Sequence, residues 1–169
     1  MPVFRGPIEL RNFTTEDYDD ILDIYHRCED FLSLGPQPRA SSAMVTKDID
    51  DAGKEGGSFK GIYSGDTLIG VASYSTKGFN KKLTDAYLYL LMIIPSFRGK
   101  GIGTKIVKMI EKEIFTDSKA TTIFSGVQVN NLRALKFWRN NGYRVTGGPE
   151  LMPDNTTVFR LRKDLRHIT

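Results

Sequence analysis

The sequence predicts an α/β (α+β) fold: a central mixed, mostly antiparallel sheet of about seven strands, with about four helices packed on both faces. Three observations predict it. The segments "SFKGIYSG", "TLIGVASYST" and "DAYLYLLMII" are rich in β-branched and aromatic residues and are separated only by "GD" and "KGFNKK", which reads as three successive antiparallel strands. The last of the three is apolar at odd and even positions alike, so it lies mid-sheet with helices over both faces. Helix-period and strand-period segments then interleave toward the C-terminus. With 169 residues, 40% of them hydrophobic, residues 1–169 are expected to form a single domain around one core.

Taken in order, "IEL" is a short strand. A helix follows in "RNFTTEDYDDILDIYHRCEDFL", capped by Thr14 or Thr15 with Asp17 at the capping-box position. Ile21, Ile24, Tyr25, Cys28, Phe31 and Leu32 recur at helical spacing and form its buried face. Cys28 therefore reads as core: a nucleophilic thiol needs a positioned base, and neither His26 nor His167 has sequence context for that role. "SLGPQPRASS" is an exposed loop, open to two readings, the border of a substrate site or a plain surface connection. A helix from about Ala43 to Ala52 leads into the three strands. Beyond them, Ile102, Ile106, Ile110 and Ile114 mark the core face of another helix. "TIFSGVQV" is a strand and "NLRALKFWRNN" a helix ending at Gly142, where a left-handed residue is wanted. "YRVTG" and "TVFRLRK" complete the sheet.

Charge and composition exclude several function classes. Lys plus Arg exceed Asp plus Glu by only 24 to 20 and are scattered, which fits an anionic ligand but no polybasic nucleic-acid arm. The longest apolar run, "AYLYLLMIIP", is less than half the ~20 residues of a membrane span, so no membrane partner is expected. One cysteine excludes an internal disulfide, and "MPVFRGPIEL" lacks the apolar run of a secretory signal, so a cytoplasmic location is expected. No metal site is expected.

The chemistry concentrates in "IIPSFRGKGIGTKIV", residues 93–107, where Gly99, Gly101 and Gly103 stand between a strand ended by Pro95 and an apolar helix. Glycines there let the backbone turn with its N–H groups facing inward at a helix N-terminus, a cradle for phosphate. The spacing Arg98-x-x-Gly101-x-Gly103 matches neither the dinucleotide fingerprint nor the mononucleotide loop.

"RGKGIG" at residues 98–103 resembles the acetyl-CoA signature [RQ]-x-x-G-x-[GA] of the GCN5-related N-acetyltransferase (GNAT) family. A second stretch, Asn131, Ala134, Leu135, Phe137, Trp138, Gly142 and Tyr143, is similar to the family's later motif. The order of strands and helices agrees with the family over nearly the whole chain.

The resemblance implies a GNAT fold and acetyl-CoA as co-substrate. Its pantetheine arm would pair like an extra strand with Leu91, Met92 and Ile93. Its pyrophosphate would lie on the amides of Arg98, Gly99, Lys100, Gly101, Ile102, Gly103 and Thr104, with Asn131, Phe137 and Trp138 lining the other side. Micromolar binding needs ~8 kcal/mol while a helix N-terminus contributes at most ~2, so strand-like pairing and adenine contacts carry the rest. Gly101→Val is expected to abolish this binding and leave the fold intact.

The implied reaction is direct attack of an acceptor amine on the thioester, with a backbone N–H of the fourth strand facing the developing oxyanion. Two proton tasks remain, and here the chain departs from the family. Trp138 stands where many members have a thiolate-protonating tyrosine, and an indole N–H is no acid at neutral pH. Gly126 stands where some members carry a glutamate base. Asp85, Tyr87 and Tyr89 are the candidate catalytic residues, with sheet packing as the other reading for the tyrosines.

A site with no evident base suits a weakly basic acceptor, an α-amine on a small molecule or peptide N-terminus. A lysine-like amine costs ~4.6 kcal/mol to deprotonate at pH 7, against ~1 for an α-amine. The loop 33–42, the hairpin "TKGFNKKLTD" and the segment "GGPELMPDNT" are expected around the acceptor, with Asp85, Glu150 and Asp154 either attracting a cationic amine or solvated. The chain is thus expected to be an acetyl-CoA-dependent N-acetyltransferase. The alternative is a non-catalytic acyl-CoA-binding or regulatory domain, and the family resemblance leaves a homodimer possible.

Overall fold

A computed structural model describes residues 6–54 and 56–165. Seven strands form one sheet: β1 (Ile8–Arg11), β2 (Ser58–Ser64), β3 (Thr67–Ser75), β4 (Asp85–Ile93), β5 (Thr122–Gln128), β6 (Arg144–Leu151) and β7 (Thr157–Asp164), in the order β1-β2-β3-β4-β5-β7-β6. Only β4 and β5 run parallel; every other neighbouring pair is antiparallel. This is the mixed, mostly antiparallel sheet that the sequence predicts. Ile69 to Ser75 of β3 are all buried, so both faces of the sheet centre are covered.

Among the described residues the helices are α1 (Tyr18–Arg27), α2 (Glu29–Leu32), α3 (Ser42–Lys54), α4 (Ile102–Asp117) and α5 (Leu132–Asn140), five where about four are expected. The extra one arises because the first expected helix breaks at Cys28, whose φ of −107° and ψ of 21° leave the helical region. The predicted capping box is present, with Thr14 and Asp17 capping reciprocally, but it opens a 3₁₀ turn at Thr15–Asp17 ahead of α1. α1 and α3 pack on β2 and β3, and α4 packs on β1 and β4. On α4, Ile106, Val107, Ile110 and Ile114 are fully buried. Each such side chain contributes roughly 1.5–3 kcal/mol on burial.

Strand β6 continues to Leu151, beyond the expected "YRVTG", so the first half of "GGPELMPDNT" lies within a strand. Its register against β7 shifts twice, between Val145 and Gly147 and between Gly147 and Glu150. β6 is an edge strand, where Pro149 interrupts no ladder on the outer side.

A buried polar cluster ties α4 to β7. Glu111 is 3% exposed and accepts from Tyr143 Oη at 2.9 Å and from Lys163 Nζ at 3.1 Å, and Lys163 also donates to the Asn141 carbonyl at 2.8 Å. Among the described residues no helix is long and apolar enough to cross a membrane.

Candidate active site

The site begins where the sheet opens. β4 and β5 pair only at Asp85–Thr122, Ala86–Ile123 and Tyr87–Phe124. Ser125 Oγ then donates to the Leu88 carbonyl at 2.9 Å, and beyond that link the two strands diverge. On its other side β4 stays paired with β3 as far as Ile93. Ile94 N–H donates to Ile69 on β3, and strand alternation therefore directs the backbone of Met92 to β3 and that of Leu91 and Ile93 into the open seam. Of the three residues expected to pair with a pantetheine arm, Leu91 and Ile93 present backbone groups there, and Met92 offers its side chain alone. The Ile93 carbonyl is taken by Arg98 Nε at 2.7 Å.

The seam leads to the N-terminus of α4. Gly101 is its N-cap, with φ of 78°, and no side chain caps it. Lys105 N–H makes the first intrahelical bond, to the Gly101 carbonyl at 3.1 Å, which leaves the amides of Ile102, Gly103 and Thr104 directed at the opening. Gly99, with φ of 72°, shares the left-handed conformation that sets this turn. A Cβ at Gly99 or Gly101 would meet no atom within 4 Å, so conformation and not space demands glycine there. Gly103 differs: its Cβ would lie 2.9 Å from the Phe137 ring, so glycine lets α4 lie close against α5.

The basic residues of this loop do not face the cradle. The Arg98 guanidinium pairs with Asp30 of α2 at 2.5 and 3.1 Å and holds that carboxyl below its usual range, strapping α2 to the end of β4. Lys100 Nζ donates to the Ser96 carbonyl at 2.5 Å and lies over the Phe97 ring. What the turn itself offers an anion is backbone amides and the positive end of the helix dipole. The opposite wall is α5, where Asn131 Oδ1 accepts from Ala134 N–H at 3.1 Å as N-cap. Trp138 is 7% exposed and edge-on to both Phe137 and Tyr143, so it is chiefly a core side chain.

Seam, cradle and α5 line one cleft of about 1420 Å³. That exceeds the ~300–1,000 Å³ of a single small-molecule site and leaves room for a second reactant. Tyr87 and Tyr89 line it with ring centroids 4.7 Å apart, and Phe79 lies 4.3 Å from Tyr87. The Tyr87 hydroxyl lies 3.3 Å from where a Cβ on Gly126 would be, beside the position of the missing glutamate. Burial, then the neighbouring Tyr89, pushes the Tyr87 phenol up, so it is protonated at neutral pH and can serve as an acid but not as a base. Asp85 is buried at the foot of β4, accepts from Thr84 Oγ1 at 3.2 Å and does not line the cleft. The structure thus brings the two tyrosines together in the cleft and leaves Asp85 outside it.

At the far end the cleft is walled by α3 and by the turn between β6 and β7, through Lys47, Asp48, Asp51, Met152, Pro153 and Asp154. Of the loops expected there, 33–42 contributes Leu34 and the hairpin at 76–85 contributes nothing before Tyr87. Glu150 is paired with Arg160 at 2.5 and 2.8 Å and does not itself line the cleft. Cys28 is fully buried, with burial pushing its thiol up, as its core reading requires. His26 sits 3.3 Å from Glu29, and His167 lies outside the described residues.

Sequence reasoning missed Asp48. Its carboxylate accepts from the Tyr25 hydroxyl at 2.7 Å, and burial raises it above the usual carboxylate range. The two residues stand 23 apart on separate helices, a spacing no motif records. Tyr25 read simply as core.

Comparisons with known proteins agree with this geometry. A stretch of 64 residues, 38% of this chain, is 31% identical to the kanamycin resistance protein of Rhizobium radiobacter and spans 58% of that protein's length. The fold matches a crystal structure of an acetyltransferase from Thermus thermophilus with a TM-score of 0.80 at 18% identity, covering 96% of this chain and 99% of that one. It also matches the spermidine N-acetyltransferase of Vibrio cholerae in complex with CoA and spermine, with a TM-score of 0.72 at 16% identity over 94% and 95% of the two chains. The model of the acetyltransferase (GNAT) family matches residues 18–143, and the chain belongs to that family.

Proposed function

We infer that this chain, acting as one acetyltransferase domain in the cytoplasm, transfers the acetyl group of acetyl-CoA to an acceptor amine. The observation that carries the reading is the open β4–β5 seam running straight to the uncapped amides of Ile102, Gly103 and Thr104. An extended, hydrogen-bonding arm joined to a pyrophosphate fits that track: Leu91 and Ile93 offer backbone groups to the arm, and the helix N-terminus receives the phosphates. When bound, acetyl-CoA supplies the activated thioester. The chain orients it, excludes water along the seam and places the acceptor in the wide end of the cleft. CoA and spermine in the Vibrio cholerae relative, together with the acetyltransferase family, support both reactants.

Tyr87 is read as the group that gives a proton to the departing thiolate, because it is protonated and lines the cleft. Tyr87→Phe is expected to lower kcat by about 10²-fold and to leave the Kd for acetyl-CoA within twofold. Equal kcat values would return Tyr87 to sheet packing. The function itself is tested by incubating the protein and acetyl-CoA with pooled amino acids, short peptides, polyamines and aminoglycosides, and reading products by mass spectrometry. An acetylated product that needs the protein establishes the transferase. Binding of acetyl-CoA with no product from any pool supports the alternative, a non-catalytic acyl-CoA-binding domain.

A further inference from the structure

Asp48 is placed unlike any other carboxylate of the cleft. It sits on the inner side of α3, half-buried, and lines the cleft together with Ser73 of β3 and Tyr87 of β4. Among the described residues it takes part in no ion pair. Lys47, the adjacent cation, also lines this end of the cleft but is engaged with Asp51 at 2.5 Å, and Asp154 approaches it from the β6–β7 turn. What holds Asp48 is the fully buried Tyr25 of α1, which donates to one carboxylate oxygen and leaves the other uncommitted. A carboxylate kept partly desolvated, with no ion-pair partner and only the more distant charge of Lys47 to offset the cost, opposes folding. Such a group is retained where a ligand or a proton completes it.

We propose that Asp48 is the general base of the reaction, receiving the acceptor as an ammonium ion and taking one proton from it. The proposal rests on the transferase reading above. The balance is simple: an ammonium N–H bond breaks and an O–H bond forms on Asp48. The freed amine makes the C–N bond as the C–S bond breaks, its second proton ends on the CoA sulfur, and Asp48 returns its own proton to solvent. The acceptor class follows. With a carboxylate at hand, a strongly basic primary amine, protonated at pH 7, is a fitting substrate, and the preference for weakly basic amines inferred from a missing base loses its ground. Asp51 and Asp154 outnumber Lys47 at this end of the cleft, and the net negative charge favours an acceptor carrying further positive charge.

Burial raises Asp48, the contacts from Tyr25 and Lys47 lower it, and Asp51 raises it. The native state therefore binds this proton more tightly than the unfolded chain, so the charged group destabilises the fold above its native pKa and the penalty fades as pH falls through it. Asp48→Asn keeps an acceptor for the Tyr25 hydroxyl and removes the charge. The expected result is a thermal midpoint equal to or above that of the wild type, a Kd for acetyl-CoA within twofold, and kcat/KM at pH 7 at least 100-fold lower with spermidine, or with whichever primary amine the wild type acetylates best. The loss should shrink to under tenfold with a fluorinated analogue of the same amine that is neutral at pH 7. Turnover by Asp48→Asn within threefold of wild type, or an equal loss with both amines, would overturn the base assignment alone. No turnover by the wild type with any amine would overturn the transferase reading and the role of Asp48 with it.

Discussion

Gly101→Val is expected to weaken acetyl-CoA binding by at least 100-fold. Gly101 has φ of 78°, a conformation that a β-branched residue adopts only under strain, and it immediately precedes the amides of Ile102, Gly103 and Thr104. Relaxing that strain turns those amides away from the pyrophosphate. Each hydrogen bond to a charged group is worth about 1.5–3 kcal/mol, so losing two costs roughly 3–6 kcal/mol, or ~10²–10⁴ in Kd. The strain itself costs about 1–3 kcal/mol of stability, so a modest fall in thermal midpoint accompanies the loss of binding. The sequence alone suggested an unaffected fold; the positive φ revises that part. Calorimetry checks the expectation, and micromolar binding by the variant would remove the phosphate site from this turn.

The second large effect concerns stability. In Lys163→Met, the buried Glu111 keeps the Tyr143 hydrogen bond at 2.9 Å but loses its half-buried cation. Breaking one side of a buried pair costs about 3–5 kcal/mol. For a domain of this size that lowers the thermal midpoint by roughly 6–20 °C, at about 2–4 °C per kcal/mol. The cluster joins α4 to β7 on the side of α4 away from its N-cap, so acetyl-CoA affinity should hold at temperatures where the variant is folded. A fall of less than 3 °C would show that Glu111 is satisfied without Lys163.

Much of the fold is legible in the sequence because its signals are local. The apolar period of "TKIVKMIEKEIF", the strand pattern of "DAYLYLLMII" and the glycines of "RGKGIG" each fix a conformation within a few residues, and the family motif joins two of them. The break at Cys28 was not legible, because the apolar spacing runs through it unbroken from Ile21 to Leu32. The extension of β6 to Leu151 was hidden by "GGP", whose turn composition disguises an edge strand with shifted register.

The glycine turn and the helix N-terminus it opens were readable for the same local reason, whereas the partners of individual side chains were not. Arg98 belongs to the motif, yet its guanidinium is spent on Asp30, 68 residues away. Asp85 and Tyr87 share a strand, yet one is buried at its foot and the other lines the cleft. Asp48 gains its character from Tyr25 on another helix, a relation that exists only once α1 and α3 are packed.

Amide hydrogen exchange, with and without acetyl-CoA, tests most directly the claim that the β4–β5 seam and the α4 N-terminus hold the co-substrate. Slower exchange at Leu91, Ile93 and residues 102–104, with β1 and β2 unchanged, is the predicted result. Saturating acetyl-CoA that leaves those amides unprotected would contradict it.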